Sequence, residues 1–130
     1  MFELVVERSF SAAHYLRNFS GPCERLHGHN YRVQVYLRGG VLNDAGMLFD
    51  FTDIKAALGA ILDRFDHRCL NELPDFEERS PSAENIALLI GDALNESDWG
   101  AAHMHRVQVW ETPIQSATYF LPDRDGAARP

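Results

Sequence analysis

The 130-residue sequence has no apolar run approaching the roughly 18 residues of a membrane-spanning helix, which argues against a membrane partner of that kind. Its start, "MFELVVERSF", carries Glu3 and Glu7 and lacks the basic segment and long apolar core of a secretory leader, so the expected address is the cytoplasm. Positive charge is scarce as well: 12 Lys and Arg stand against 19 Asp and Glu, a formal net charge of −7. That balance speaks against a nucleic acid or an anionic membrane as the partner. A small anionic substrate stays compatible with it, because a pocket can differ in sign from the molecule around it. Cysteine is limited to Cys23 and Cys69. In a reducing compartment, a thiol near histidines serves as ligand or nucleophile more often than as half of a disulfide.

The composition, 45% hydrophobic and 24% charged, is that of an ordinary globular domain. The length suits one domain that buries about two-thirds of its unfolded surface. The expected boundaries are 1–121 for the domain and 122–130, "PDRDGAARP", for a loose C-terminal tail.

Periodicity divides the chain into strands, helices and strands again. Phe2, Leu4, Val6, Phe10, Ala12 and His14 share one strand face, with Arg8 the discordant member. "YRVQVYLRG" alternates more clearly, with Tyr31, Val33, Val35 and Leu37 on one side. "GMLFDF" reads as a short strand ending. "TDIKAALGAILDRF" then changes to helical spacing through Ile54, Leu58, Ile61, Leu62 and Phe65, with Thr52 as N-cap. A loop holding Pro74 leads to a second helical stripe of Ile86, Leu89, Ile90, Ala93 and Leu94, capped by Ser80 with Pro81 at the first helical position. Asn95 to Ala102 reads as loop, "HRVQVWETP" as a strand, and Thr118 to Leu121 as a short last one. The order implies an α+β fold with two helices packed on one face of an antiparallel sheet.

The chemistry concentrates in "CERLHGHNYRVQVYL". His27 and His29 have the parity of Val33 and Val35, so both imidazoles point to the packed side of the strand. His14 lies on the apolar face of the first strand and becomes a third ligand if the two strands are neighbours. Three neutral imidazoles with an open fourth position are the donor set of a catalytic Zn²⁺. Cys23, four residues before His27, has two readings. It can close a Cys-His₃ structural site, which would make the chain a non-enzymatic zinc module, or stand beside the metal as a low-pKa thiolate. Spacing does not separate them. Asp66 and His67 in "FDHRCLN" can form a carboxylate–imidazole pair, although adjacent residues need not touch. Glu111 continues the buried row of Val107 and Val109 in "VQVWET". A carboxylate there suits a salt bridge, water at the strand end, or a ligand presenting paired N–H donors such as an aminopyrimidinone. His103 and His105 read as surface or strand-start residues, and Cys69 as a small buried hydrophobe.

Six segments, "FSAAH", "CERLHGHNY", "GMLFDF", "DHRCLN", "SAEN" and "VWET", stand in this order between Phe10 and Glu111. Together they resemble the family of 6-pyruvoyltetrahydropterin and 6-carboxytetrahydropterin synthases. The resemblance implies a tunnelling fold (T-fold), in which sheets of several subunits join into a barrel. It also implies a homo-hexamer, a dimer of trimers, with active sites between subunits. Residue by residue, His14, His27 and His29 match the family's zinc ligands and Cys23 its catalytic thiol. Asp66 and His67 match its proton relay, and Glu111 the carboxylate that holds the pterin ring. Ser82 and Glu84 match positions lining the pterin pocket. The implied small-molecule substrate is 7,8-dihydroneopterin triphosphate.

The Cys-x₃-His-Gly-His spacing and the "LN" after Asp66-His67 are similar to the bacterial 6-carboxy branch of queuosine (7-deazapurine) biosynthesis. These are carbon–carbon lyases that release acetaldehyde and triphosphate and leave 6-carboxy-5,6,7,8-tetrahydropterin. The alternative is the 6-pyruvoyl branch, which eliminates triphosphate and keeps the side chain. A third branch, serving folate synthesis, has Glu in place of the thiol. Candidates for holding the triphosphate are Arg8, Arg17, Arg25, Arg32, Lys55, Arg64 and Arg68.

Overall fold

The computed structural model describes residues 1–17, 21 and 24–122. Cys23 and all of the expected tail beyond Pro122 lie outside the described residues. Strand β1 (Phe2–His14) and strand β2 (His27–Gly39) pair antiparallel along their whole lengths, from Phe2 opposite Gly39 to His14 opposite His27. β2 thus starts four residues before the apolar alternation does. "HGHN" is a strand because it is paired, without apolar spacing to announce it.

Helix α1 (Phe51–Leu62) follows, then a two-residue strand β3 (Arg68–Cys69), helix α2 (Ala83–Asn95), and the strands β4 (His103–Thr112) and β5 (Gln115–Phe120). The five strands lie in the order β3-β1-β2-β4-β5. β3 runs parallel to β1, so the sheet is mixed where the sequence suggests antiparallel pairing throughout. Two short 3₁₀ turns, Leu70–Glu72 and Pro74–Phe76, fill the expected Pro74 loop.

Both helices cover one face of the sheet, α1 on β1 and α2 on β4 and β5. Their stripes, Ile54, Leu58, Ile61 and Leu62 on α1 and Ile86, Ala87, Ile90 and Leu94 on α2, meet Val6, Phe10, Val33, Val35, Leu37, Val107 and Val109 of the sheet. Each fully buried large apolar side chain contributes roughly 1.5–3 kcal/mol relative to exposure. The helices approach closely through glycines. A Cβ on Gly91 would stand 2.7 Å from the Tyr119 ring, and one on Gly59 would stand 2.9 Å from Arg8 Nη1. Arg8, out of place in the apolar parity of β1, therefore lies across α1 at the residue that leaves room for it.

Four local expectations change. "GMLFDF" does not form a strand: Leu48 and Phe49 pack against the core, and Asp50 caps α1 by accepting from the Thr52 amide at 2.8 Å. The cap is thus Asp50 rather than Thr52, an acidic group favoured at a helix N-terminus. α2 is capped by Ser82, whose hydroxyl accepts from the Asn85 amide at 3.2 Å, rather than by Ser80. Ser80 instead accepts from the Arg17 amide and, through its carbonyl, from the Asn85 side chain. β5 begins at Gln115, ahead of the expected Thr118.

Candidate metal centre

The pairing of His14 with His27 puts the two imidazoles on the same face at the end of the sheet, and His29 follows two residues on. Their Nε2 atoms converge: His14 Nε2 lies 3.0 Å from His27 Nε2. The rings pack edge to face at centroid distances of 4.6 to 5.1 Å. Glu111 comes in from β4, at the point where its register with β5 shifts between Trp110 and Thr112. Such a bulge re-aims a side chain. Glu111 Oε1 stands 3.2 Å from His14 Nε2 and 2.9 Å from His29 Nε2. Ligand atoms of His14, His27, His29 and Glu111 all lie within 4.8 Å of one another.

Two observations test whether these residues suit a metal. His14 Nδ1 donates to the Pro81 carbonyl at 2.7 Å, and His27 Nδ1 donates to the Arg25 carbonyl at 2.6 Å. A carbonyl only accepts, so each Nδ1 carries the proton and each Nε2 is a bare lone pair. Two bare nitrogens 3.0 Å apart repel unless a cation is shared between them. Second, the Glu111 contact to His29 is short but poorly aligned, leaving the buried His29 Nε2 without a hydrogen bond. Burial lowers the His29 pKa below the ordinary histidine value, opposed by Glu111 and reinforced by His14 and His27. The neutral imidazole is the form that binds metal. The donor set fits a divalent cation such as zinc, and backbone carbonyls fix the orientation of two of its rings.

Asp66 and His67, which the sequence leaves free to touch or not, are in contact. His67 Nδ1 is 3.0 Å from Asp66 Oδ2, and Asp66 Oδ1 accepts from the Ser11 amide at 2.9 Å. The Ser11 N–H holds the Asp66 carboxyl below the usual range, and His67 adds to that. His67 has a φ of 59°, an uncommon backbone state for a non-glycine residue, and its side chain is 82% exposed. The pair sits at the β3 side of β1, where His67 lines an open groove of about 540 Å³ bordered also by Ser11, His29, Asn30, Arg68 and Cys69. Neither residue forms a hydrogen bond or ion pair with His14, His27 or His29. Cys69 is half-buried at this groove, more open than the buried hydrophobe the sequence suggests.

A second groove, about 380 Å³, runs past Glu111 between Ala83 and Glu84 of α2 and Gln115, Ser116 and Ala117 of the last hairpin. Glu84 is among the residues that line it. Ser82 is engaged as the α2 cap. His103 starts β4 and His105 is 4% exposed, so His105 is a buried residue rather than a surface one. Among the anion-binding candidates, Arg17 is committed to the carbonyls of Phe76, Glu77 and Arg79. Arg32 pairs with Glu7 and Arg64 with Asp75.

The residue that sequence reasoning leaves out of the donor set is Glu111. Its parity with Val107 and Val109 already puts it on the inward face, but only the pairing of β4 beside β2 brings it to the histidines. The carbonyls of Arg25 and Pro81 have no side-chain signal at all.

The family model described as 6-pyruvoyl tetrahydropterin synthase matches residues 3–122. The chain belongs to that family. Among its relatives, the 6-carboxy-5,6,7,8-tetrahydropterin synthase of a Synechocystis species is 39% identical, covering 94% of this chain and 95% of its own. The dihydroneopterin monophosphate aldolase of Pyrococcus furiosus is 31% identical, with 83% and 88% covered. The solved structure of Caenorhabditis elegans 6-pyruvoyl tetrahydropterin synthase is 33% identical, superposes with a TM-score of 0.80, and covers 93% of this chain and 97% of that one. The T-fold expectation holds: the two helices on a five-stranded sheet are those of the pterin synthases. No helix among the described residues is long and apolar enough to cross a membrane.

Proposed function

We propose that this protein is a zinc-dependent 6-carboxytetrahydropterin synthase, a carbon–carbon lyase of the cytoplasm. It would convert 7,8-dihydroneopterin triphosphate to 6-carboxy-5,6,7,8-tetrahydropterin with release of acetaldehyde and triphosphate, in queuosine biosynthesis. The observation that carries the reading is the convergence of His14, His27 and His29 on one point, in a chain 39% identical to a 6-carboxy synthase over almost its whole length. His14, His27 and His29 hold the metal, and Lewis-acid chemistry that eases deprotonation of the substrate hydroxyls is what zinc supplies there. Cys23 takes a proton from the substrate side chain as the thiolate. Asp66 orients His67 and stabilises its charged form, so His67 can pass a proton on. Glu111 borders the groove next to α2 and receives the paired N–H donors of the pterin ring.

The domain of residues 1–121 works as part of a homo-hexamer. Its histidine cluster lies on the face of the sheet that the helices cover, and of the three histidines only His29 also lines the open groove at the edge of β1 that His67 borders. The two groups serve one reaction when different copies contribute them. Exposed apolar side chains such as Phe2, Val5, Phe51 and Phe120 supply surface for that assembly.

The test is to incubate zinc-loaded protein with 7,8-dihydroneopterin triphosphate, read the pterin product by mass and assay acetaldehyde in parallel. A 6-carboxy product with acetaldehyde is expected. A pyruvoyl product without acetaldehyde would move the chain to the sister branch, and no turnover with zinc bound would overturn the assignment.

A further inference from the structure

Tyr31 is fully buried, and its hydroxyl has no hydrogen-bond partner. A buried donor left unpaired is destabilising, so its acceptor is expected in some other state of the molecule. The ring is fixed in place. It stacks on Phe10 at a centroid distance of 4.7 Å and 10°, and packs edge to face with His29 and His14 at centroid distances of 5.4 and 5.8 Å. Tyr31 is thus packed against the rings of two of the three candidate ligands.

The register of β2 with β4 points to the acceptor. Val33 stands opposite Val109 and Arg32 opposite Trp110, so one further step brings Tyr31 beside Glu111 on the same face. Residues so placed are close enough for their side chains to meet. A phenol keeps its proton at neutral pH, so the hydroxyl is a donor. Glu111 is at present turned toward His14 and His29. The bare His14 Nε2 and the unbonded His29 Nε2 give that carboxylate no hydrogen bond, so a cation that takes them costs Glu111 none.

Building on the metal site proposed above, we propose that Tyr31 is a positioning residue of that site: its hydroxyl donates to Glu111 once a metal has taken the histidine nitrogens. The carboxylate is then held in one orientation beside the metal by a donor that costs no rearrangement of the core. Each carboxylate oxygen has two lone pairs, so this bond leaves room for the paired donors of a pterin at the same group.

Affinity for Zn²⁺, measured by chelator competition without substrate, tests this in wild type, Tyr31→Phe, Glu111→Ala and the double variant. Loss of a partner that orients a ligand group weakens metal binding on the order of 10-fold or more. Tyr31→Phe is expected to lose about 10-fold, to shift the visible absorption of the Co²⁺-loaded protein, and to leave metal-free thermal stability unchanged or raised. In the Glu111→Ala background the same substitution is expected to have no further effect, because the two side chains act through one bond. Unchanged Zn²⁺ affinity and an unchanged Co²⁺ spectrum in Tyr31→Phe would overturn the inference alone. So would a full Tyr31→Phe effect without Glu111, or a fall in metal-free stability, which would mean that the hydroxyl already has a partner. If wild type binds no divalent metal, the metal site itself is wrong and the inference falls with it.

Discussion

Replacing the two helical glycines by alanine should move stability in opposite directions. Alanine is favoured over glycine in a helix interior by about 1 kcal/mol. At Gly59 the added Cβ meets Arg8 Nη1 at 2.9 Å, the far end of a flexible and exposed side chain that can swing away. The propensity gain survives, and Gly59→Ala should be about 0.5–1 kcal/mol more stable. At Gly91 the Cβ meets Tyr119 Cδ2 at 2.7 Å and Cε2 at 2.9 Å, with Leu121 Cδ1 at 3.3 Å. That ring cannot step aside without cost, because its hydroxyl donates to Asp92 at 3.0 Å. Overpacking of this kind costs about 1–3 kcal/mol, which exceeds the propensity gain in the upper part of that range. Gly91→Ala should therefore lose about 1–2 kcal/mol net. With a urea m-value of roughly 1–3 kcal/mol/M, the two midpoints should separate by about 1 M at matched protein concentration. The α2 displacement also reaches the candidate site, since the segment that starts α2 holds the Pro81 carbonyl against His14 Nδ1. Zn²⁺ affinity should fall in Gly91→Ala and hold in Gly59→Ala. A Gly91→Ala protein as stable as wild type would refute the claim that this glycine sets the spacing of helix and sheet.

Cys23→Ala should retain zinc and lose turnover; full activity would remove the thiol from the proposed mechanism, and loss of zinc would favour a Cys-His₃ site. Metal-free protein should lose stability as pH falls below about 6.5, because His29 has a lower pKa folded than unfolded and protonation therefore favours the unfolded chain. That loss levels off below the folded pKa, and a urea midpoint that stays flat from pH 7.5 to 5.5 in chelator would contradict it. Asp66→Asn should lower kcat with Zn²⁺ affinity intact, and a matching drop in affinity would place the carboxylate at the metal instead. Co-refolding equal amounts of His14→Ala and Asp66→Asn chains should restore activity to about one quarter of wild type if each site draws one half from each of two copies. No recovery in verified mixed oligomers would confine the site to a single chain.

The histidine cluster was legible because parity is a strong signal where a strand is half-buried. His14, His27 and His29 all have the parity of the core residues beside them, and the pairing of β1 with β2 needs no shift to bring them together. Helix stripes were legible for the same reason. Helix starts were not, because Asp50, Thr52, Ser80 and Ser82 are all competent caps and tertiary contacts choose among them. Ser80 accepts from Arg17 and the Pro81 carbonyl from His14, which keeps both residues outside α2. The bulge between Tyr36 and Leu37 in the β2–β4 pairing was equally hidden. It lets Met104 and His105 be buried in succession, which no alternating pattern predicts.

The arrangement of donors also bears on how the site would tolerate metal loss. The nitrogens that face away from the metal are tied to backbone carbonyls of Arg25 and Pro81, one in the approach to β2 and one beside the start of α2. Their hold does not depend on the metal, so the imidazoles remain aimed at one point without it, and binding needs little reordering of side chains. What the metal-free state retains is electrostatic tension: two bare nitrogens 3.0 Å apart, a buried His29 Nε2 without a hydrogen bond, and a carboxylate drawn into the gap. Each of these is relieved by one cation. The free energy of binding therefore comes from removing local repulsion in a preformed cage rather than from folding it. The chain should accordingly keep its sheet and helices in chelator, unlike a small zinc module whose core forms only around the metal. Far-ultraviolet circular dichroism before and after chelation checks this, and collapse of the helical signal would mean that the loops do not hold the histidines unaided.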